Sequence, residues 1–479
     1  MRPALREGSQ GSPGALHDLG IAELLAGYRA RAFSPVEVAR AVLAHIERCE
    51  PHLHATWALD AEAALAAAHA SQARWQRGEA LALDGVPCTI KENIATRGTP
   101  VPLGCAATEL VPAAEDAPPA ARLREAGAVL LAKTTMPDYG MLSSGLSSFH
   151  ALARNPWDTA LNPGGSSAGA AAAAAAGYGP LHLGTDIGGS IRLPAGWCGL
   201  VGLKPSLGRI PIRPPYAGRV AGPMTRRVSD TALAMAVLSR PDWRDATSLP
   251  YQALDWAGAA AAPPEALRGL RVGLQLDAGW GQAVQADVRA CIETAARAFE
   301  AAGAQVEPLA PFMTRAMIDG LDRFWRTRAW QDIAALGAER RARVLPYIRT
   351  WAEGGAHTGG AEVFHGYSQI AAMRDAAVAA CQPFDLVLSP VSPMTAFPAE
   401  RASPLDDPAQ PFEHIAFTLP FNMSEQPSIA VNAGYTATGL PIGLQITGRR
   451  HDDLGVLRAA RAWEQLRPAQ RPWPQGFGG

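Results

Sequence analysis

Cysteine pairs are missing from this chain. Its six cysteines, Cys49, Cys88, Cys105, Cys198, Cys291 and Cys381, lie far apart with no CxxC spacing. That excludes a zinc ribbon or a secreted disulfide framework and predicts small buried thiols. An excess of charge of either sign is missing too, since 43 basic residues meet 44 acidic ones for a formal net charge of −1. Charge therefore gives no reason to expect a nucleic-acid or membrane-surface partner, and a small or neutral substrate fits better. No apolar run is long enough to span a bilayer: the seven alanines Ala170 to Ala176 are few and closely bounded by Gly and Pro. Arg2 and Arg6 are followed by Gly, Ser and Pro where a signal peptide needs an apolar core. A reduced cytoplasmic protein is expected.

What is present suits a folded, loop-rich chain of 479 residues, 48% hydrophobic and 18% charged, with 47 Gly and 40 Pro. Residues 1 to about 15 read as a frayed tail. In SPVEVARAVLAHIERC, Ser34 is a helix N-cap, Pro35 opens the first turn and Glu37 completes a capping box. Val38, Val42 and Ile46 then repeat at helical spacing. An Ala-rich helix covers about 60 to 77. Strands are predicted before Lys91, over Ala128 to Ala132, at 270 to 276, over Asp385 to Pro390, from Pro427 and in GLPIGLQITG. Between them lie helices, including one from Ser229, a long one ending near 302 and a closing one in HDDLGVLRAARAWEQL. This alternation predicts an α/β fold with a largely parallel or mixed sheet.

Several short stretches can carry chemistry. Gly165-Ser166-Ser167-Ala168-Gly169 fits GxSxG with Ser167 as nucleophile, and His365, His414 and His451 follow it as bases for an α/β-hydrolase. The strand that should enter such an elbow is replaced by NPWDTALNPGG. A desolvated lysine is another base for a serine, because burial lowers its pKa. Lys91, Lys133 and Lys204 all sit in suitable apolar surroundings, and position does not choose among them. In DIGGSIR, Gly188-Gly189-Ser190 can present unobstructed backbone N–H groups, the donors of an oxyanion hole. Each such donor contributes about 3–4 kcal/mol to the transition state.

Taken in order, GVPCTIKEN, LNPGGSSAGAAAAAAAG and GTDIGGSIRLPAGWCGLVGLKPSLGRIP resemble the amidase signature hydrolases, with GPMTRRVSD and GLPIGLQITG further on. The resemblance runs over about 18 to 240 and 383 to 465 and is weak over 270 to 380. It implies one large α/β domain over 16–479, a central mixed β-sheet covered by helices on both faces, with a variable helical region at about 310–380. It also implies a Ser–Ser–Lys triad: Ser190 as nucleophile, Ser166 as bridge and Lys91 as base, through an acyl-enzyme. Backbone N–H groups of Ile187, Gly188, Gly189 and Ser190 would hold the oxyanion. The Gly165–Ser166 bond would be cis. Ser167, Asp186 and Arg192 would support the triad, and Gly140, Met141 and Ser143, in TMPDYGMLSS, would line the substrate cleft. No cofactor or metal is implied, in keeping with the absence of HExxH. Ala168 stands where the family usually has Gly, a change the start of a helix should tolerate.

Within the family, two branches compete: free-standing amidases and the glutaminase subunit of the tRNA-dependent amidotransferase. The stretches FWRTRAWQDI and FEHIAFTLPFN match neither glutaminase feature clearly. The expectation is therefore a free-standing amidase acting on a small linear amide as a monomer or homodimer. A catalytically silent binding protein on the same fold is the reading from a different class. The aromatic residues Phe312, Phe324, Trp325, Trp330 and Trp351 would either roof an acyl pocket or serve as core.

Overall fold

The computed structural model describes residues 15–475, so nearly all of the expected N-terminal tail lies outside the described residues. Eleven strands form one mixed sheet: β1 (Thr56–Trp57), β2 (Pro87–Lys91), β3 (Val129–Thr134), β4 (Leu181–Asp186), β5 (Val201–Lys204), β6 (Val220–Thr225), β7 (Arg271–Leu274), β8 (Gln305–Pro308), β9 (Leu386–Pro390), β10 (Ser428–Tyr435) and β11 (Pro441–Gly448). Their spatial order is β1-β3-β2-β4-β6-β5-β10-β11-β9-β7-β8. β2 runs parallel to β3 and β4, and β7 parallel to β8 and β9. The centre is antiparallel, from β4–β6 through β5–β10 to β10–β11 and β11–β9. Strands β1, β4, β5, β6 and β8 have no counterpart in the sequence expectations. β1 is two residues long, and the Gly-Pro in VAGPMT disguises β6.

Side-chain alternation explains why helices cover both faces. In β10, Ile429 and Val431 join the apolar cluster that includes the helices Val228–Leu238, Ala286–Ala301 and Asp453–Leu466. Ala430 points the other way, into a cluster with the helices Ala168–Ala176, Arg192–Cys198 and Arg315–Ala334. The expected helical region near 310–380 is present as Arg315–Ala334, Ala338–Arg341, Pro346–Glu353 and Gly360–Cys381. Trp325 and Trp351 are buried there, while Phe312, Phe324 and Trp330 pack partly buried against the same cluster. The capping box also forms: Ser34 Oγ accepts from Glu37 N at 3.2 Å, and Ser34 N donates to Glu37 Oε2 at 2.7 Å.

The alanine run forms the buried helix Ala168–Ala176, and every residue in it is buried. Small side chains let the neighbouring backbone close in: a Cβ added at Gly169 would lie 2.1 Å from Ala55 O. The last carbonyls of a helix lack partners within it. Here Arg226 donates to Ala174 O and Ala175 O at 2.9 and 2.8 Å, and His45 Nε2 lies 2.7 Å from Ala176 O. All six cysteines are free, five of them buried and Cys291 half-buried. Among the described residues, no helix is long and apolar enough to cross a membrane.

Candidate active site

Three segments meet where β2 ends. Lys91 is the last residue of β2, and residues 163–167 lead into the alanine helix. The third segment, Ile187 to Ile191, joins β4 to the helix Arg192–Cys198. Lys91 is fully buried, with Nζ 2.7 Å from Ser166 Oγ and 3.1 Å from Ser167 Oγ. Burial first, and then the charge of Arg219, hold its amine well below the ordinary lysine range, against the pull of Asp186 and Glu92. A neutral amine 2.7 Å from a hydroxyl can accept that hydroxyl's proton.

Lys133 and Lys204 are also buried, and burial brings both down to about 7. Neither amine hydrogen-bonds a serine: Lys133 donates to Ile94 O, and Lys204 to Pro205 O at 2.9 Å. Three-dimensional position therefore separates the lysines that sequence position left equal.

The Gly165–Ser166 peptide bond is cis. A Cβ on Gly165 would meet Ser144 N at 2.4 Å, so the segment packs there backbone to backbone. Gly140, at a φ of 69°, leaves room beside Ser166, since a Cβ on it would approach Ser166 Oγ to 3.2 Å. Ser190 and Ser166 both line a cavity of about 470 Å³ that opens over the end of the sheet. A narrower apolar pocket joins it, bounded by Ser190, Gly188, Met141, Trp325, Phe412 and Ile415. Gly140 and Met141 line both spaces, and Ser143 lines the apolar pocket.

The loop carrying Ser190 is held by a buried charge pair. Arg192 Nε and Nη2 each donate to Asp186 at 3.0 Å, with both side chains inaccessible to solvent. Burial alone would raise the Asp186 pKa, but Arg192, Lys204 and Asn422 together outweigh it and keep the carboxylate ionised. Asn422 adds a bond to each partner, and Gln445 and the Thr418 carbonyl accept from Arg192.

One expected oxyanion donor is not free. Gly189 N donates to Asp186 Oδ1 at 2.8 Å, while Thr418 Oγ1 donates to Gly188 O at 2.6 Å. Both ends of the Gly188–Gly189 peptide are thus engaged. Among the described residues, the amides of Ile187, Gly188 and Ser190 have no protein acceptor and remain for an oxyanion. Thr418, Asn422 and Gln445 escaped the sequence reading, although Thr418 and Asn422 lie in the FTLPFN stretch.

The serine-elbow arrangement is absent. Ser167 is fully buried, and its Oγ is taken up by Lys91 and by Thr185 O at 3.2 Å. His365 and His451 are exposed, and His414 is buried against Trp197, where burial lowers it to about 3. No histidine hydrogen-bonds Ser166, Ser167 or Ser190 among the described residues, nor do three or more His, Cys, Asp or Glu side chains gather to hold a metal.

A family model described as amidase matches residues 37–457. A glutamyl-tRNA(Gln) amidotransferase subunit from Myxococcus xanthus (strain DK1622) is 35% identical over 486 residues, covering 94% of this chain and 97% of its own length. Among solved structures, a bacterial aryl acylamidase of the amidase signature family superposes with a TM-score of 0.87 at 30% identity, over 94% of this chain and 96% of that one. A peptide amidase from Stenotrophomonas maltophilia gives 0.81 at 26% identity, over 96% and 99% of the two chains. The fold is theirs and the family model spans most of the sequence, so the chain belongs to the amidase signature family of hydrolases.

Proposed function

We propose that the chain cleaves a carboxylic amide through an acyl-enzyme on Ser190, driven by a Ser–Ser–Lys relay. The observation that carries this is the buried Lys91 amine, 2.7 Å from Ser166 Oγ and pressed towards neutrality. Lys91 accepts the Ser166 proton while Ser166 takes the proton of Ser190. Ser190 Oγ attacks the carbonyl carbon, and the amides of Ile187, Gly188 and Ser190 receive the charge that develops on its oxygen. Reversing the relay protonates the leaving amine, and water then releases the acid. The substrate is a small molecule, and the enzyme acts as a monomer or homodimer. The expected outcome is that Ser190→Ala and Lys91→Ala each lower kcat/KM by at least about 10³-fold while keeping the wild-type circular dichroism. Substantial hydrolysis by purified Ser190→Ala would overturn the assignment.

The two branches of the family draw support from different sides. The names of the curated relatives favour the amidotransferase subunit over the free-standing amidase expected from the sequence. The pocket beside Ser190 favours an apolar acyl group without an ammonium: Met141, Leu142, Trp325, Phe412 and Ile415 line it, with Arg328 at its border and no carboxylate. An amino acid bound there would find no carboxylate in the pocket to pair with its ammonium group. The likeness to an aryl acylamidase points the same way. We therefore assign amides of apolar acids as the substrates. Parallel assays should give a higher kcat/KM for an acyl anilide than for glutamine, with or without added partner subunits. Faster release of ammonia from glutamine would establish the other branch.

A further inference from the structure

Several arginines near the buried core of this protein are paired with carboxylates. Arg192 meets Asp186, Arg209 meets Asp453, Arg226 meets Asp18 and Arg244 meets Asp242. Two arginines at the larger cavity break that habit. Arg219 is half-buried and donates only to a backbone carbonyl, Pro214 O, at 3.0 Å. Arg328 is exposed and lies over the ring of Tyr216, 4.2 Å from its centroid, without pairing with Asp332 one helical turn further on. Neither forms an ion pair among the described residues, yet both line the cavity that holds Ser166 and Ser190. Arg328 also borders the apolar pocket, so it stands between the two spaces. Burial, and then the like charge of Arg328, press Arg219 down to about 10, a cost that a bound anion would relieve.

Other charges at the cavity do not cancel this pair. Arg213 is engaged by Glu115 at 2.7 Å, and Asp186 by Arg192. Asp332 is exposed on the same wall, so two free guanidiniums face one free carboxylate. The larger cavity includes Ser166, whereas the apolar pocket does not. Ser166 hands a proton to the departing nitrogen, so the amine half of the substrate leaves on the larger cavity's side and the acyl half occupies the apolar pocket.

Resting on the hydrolase reading above, we propose that Arg219 and Arg328 bind a carboxylate on the amine half of the substrate, which makes the substrate class N-acyl amino acids with an apolar acyl group. The reaction consumes one water and gives the apolar carboxylic acid and the free amino acid. Guanidinium groups suit this role, because their forked donors match a carboxylate and give charge-assisted hydrogen bonds.

The test compares N-hexanoyl-glycine with N-hexanoyl-ethanolamine, which replaces the carboxylate by a hydroxymethyl group, and measures released hexanoic acid. The unmodified enzyme should prefer the acid by about tenfold or more in kcat/KM. Both Arg219→Gln and Arg328→Gln should reduce that ratio, and Arg219→Lys should keep more of it than Arg219→Gln. Because both compounds use the same triad, the ratio is insensitive to any change in the relay. A ratio at or below one in the unmodified enzyme, or one unaltered by both Gln variants, overturns the proposal. If Ser190 reacts with a fluorophosphonate but neither compound is cleaved, the carboxylate site falls and the hydrolase reading stands. If Ser190 does not react and no amide is cleaved, both fall.

Discussion

Lys91 can accept a proton only as a neutral amine. The proposed relay would therefore stall as pH falls through the Lys91 pKa, and kcat/KM should drop on the acid side and level off above it. Arg219 contributes to that pKa, since its positive charge disfavours a second one on Lys91. Removing it in Arg219→Gln takes away a lowering influence, so the acid limb of the pH profile should move to higher pH. An unmoved limb, or one displaced to lower pH, would contradict the coupling. The same residues show how far sequence alone reaches. Lys91, Ser166 and Ser190 could be named from motif order, yet nothing local distinguished Lys91 from Lys133 and Lys204. All three are buried, and only the serines facing Lys91 set it apart. Arg219 and Arg328 were not legible as a pair, because β6 and the helix Arg315–Ala334 bring them together from distant parts of the chain.

The alanine helix is the element on which the site is built. It starts one residue after Ser167, and Ser167 N donates to Ser190 O at 3.2 Å, so its position sets the separation of the two serine segments. Ala168 is its first residue and is buried, which shows that this departure from the usual family glycine fits the helix start. Gly169 is less forgiving: a Cβ there would lie 2.1 Å from Ala55 O and 2.5 Å from Thr135 N, both backbone atoms. Gly169→Ala should therefore cost about 1–3 kcal/mol by overpacking and lower kcat/KM as Ser166 shifts. Thermal melts and kinetics on the purified variant check this, and an unchanged Tm would contradict it. Sequence patterning gave away this helix, the capped helix Pro35–Leu53 and the apolar strands β2, β3, β9 and β11. It failed for β1, β4, β5, β6 and β8, where short length or internal Gly and Pro erases the alternation on which the reading depends.

At the scale of the whole molecule, buried lysines tie stability to pH. Lys133 and Lys204 are held near 7 in the fold, and Lys91 also lies well below its ordinary value. Between those values and the unfolded lysine value the unfolded chain binds more protons, so stability rises with pH in that window. Buried thiols act in the opposite direction once unfolded cysteines ionise, since Cys88 and Cys381 are pushed up to about 12. The window in which the lysines dominate is thus about pH 7 to 8.5, with each lysine contributing up to about 1 kcal/mol per pH unit. Tm should rise across that range, and Lys204→Met should flatten the rise. A Tm that falls from pH 7 to 8.5 would contradict the burial of neutral amines. The same sheet that buries these lysines carries Lys91 and Asp186 at the ends of β2 and β4, where the proposed relay uses one buried amine. Whether that chemistry runs through Ser190 is tested most directly by peptide mapping after reaction with a fluorophosphonate. A single adduct on Ser190, lost in Lys91→Ala, is the predicted result, and an adduct on Ser166 or Ser167 in its place would contradict it.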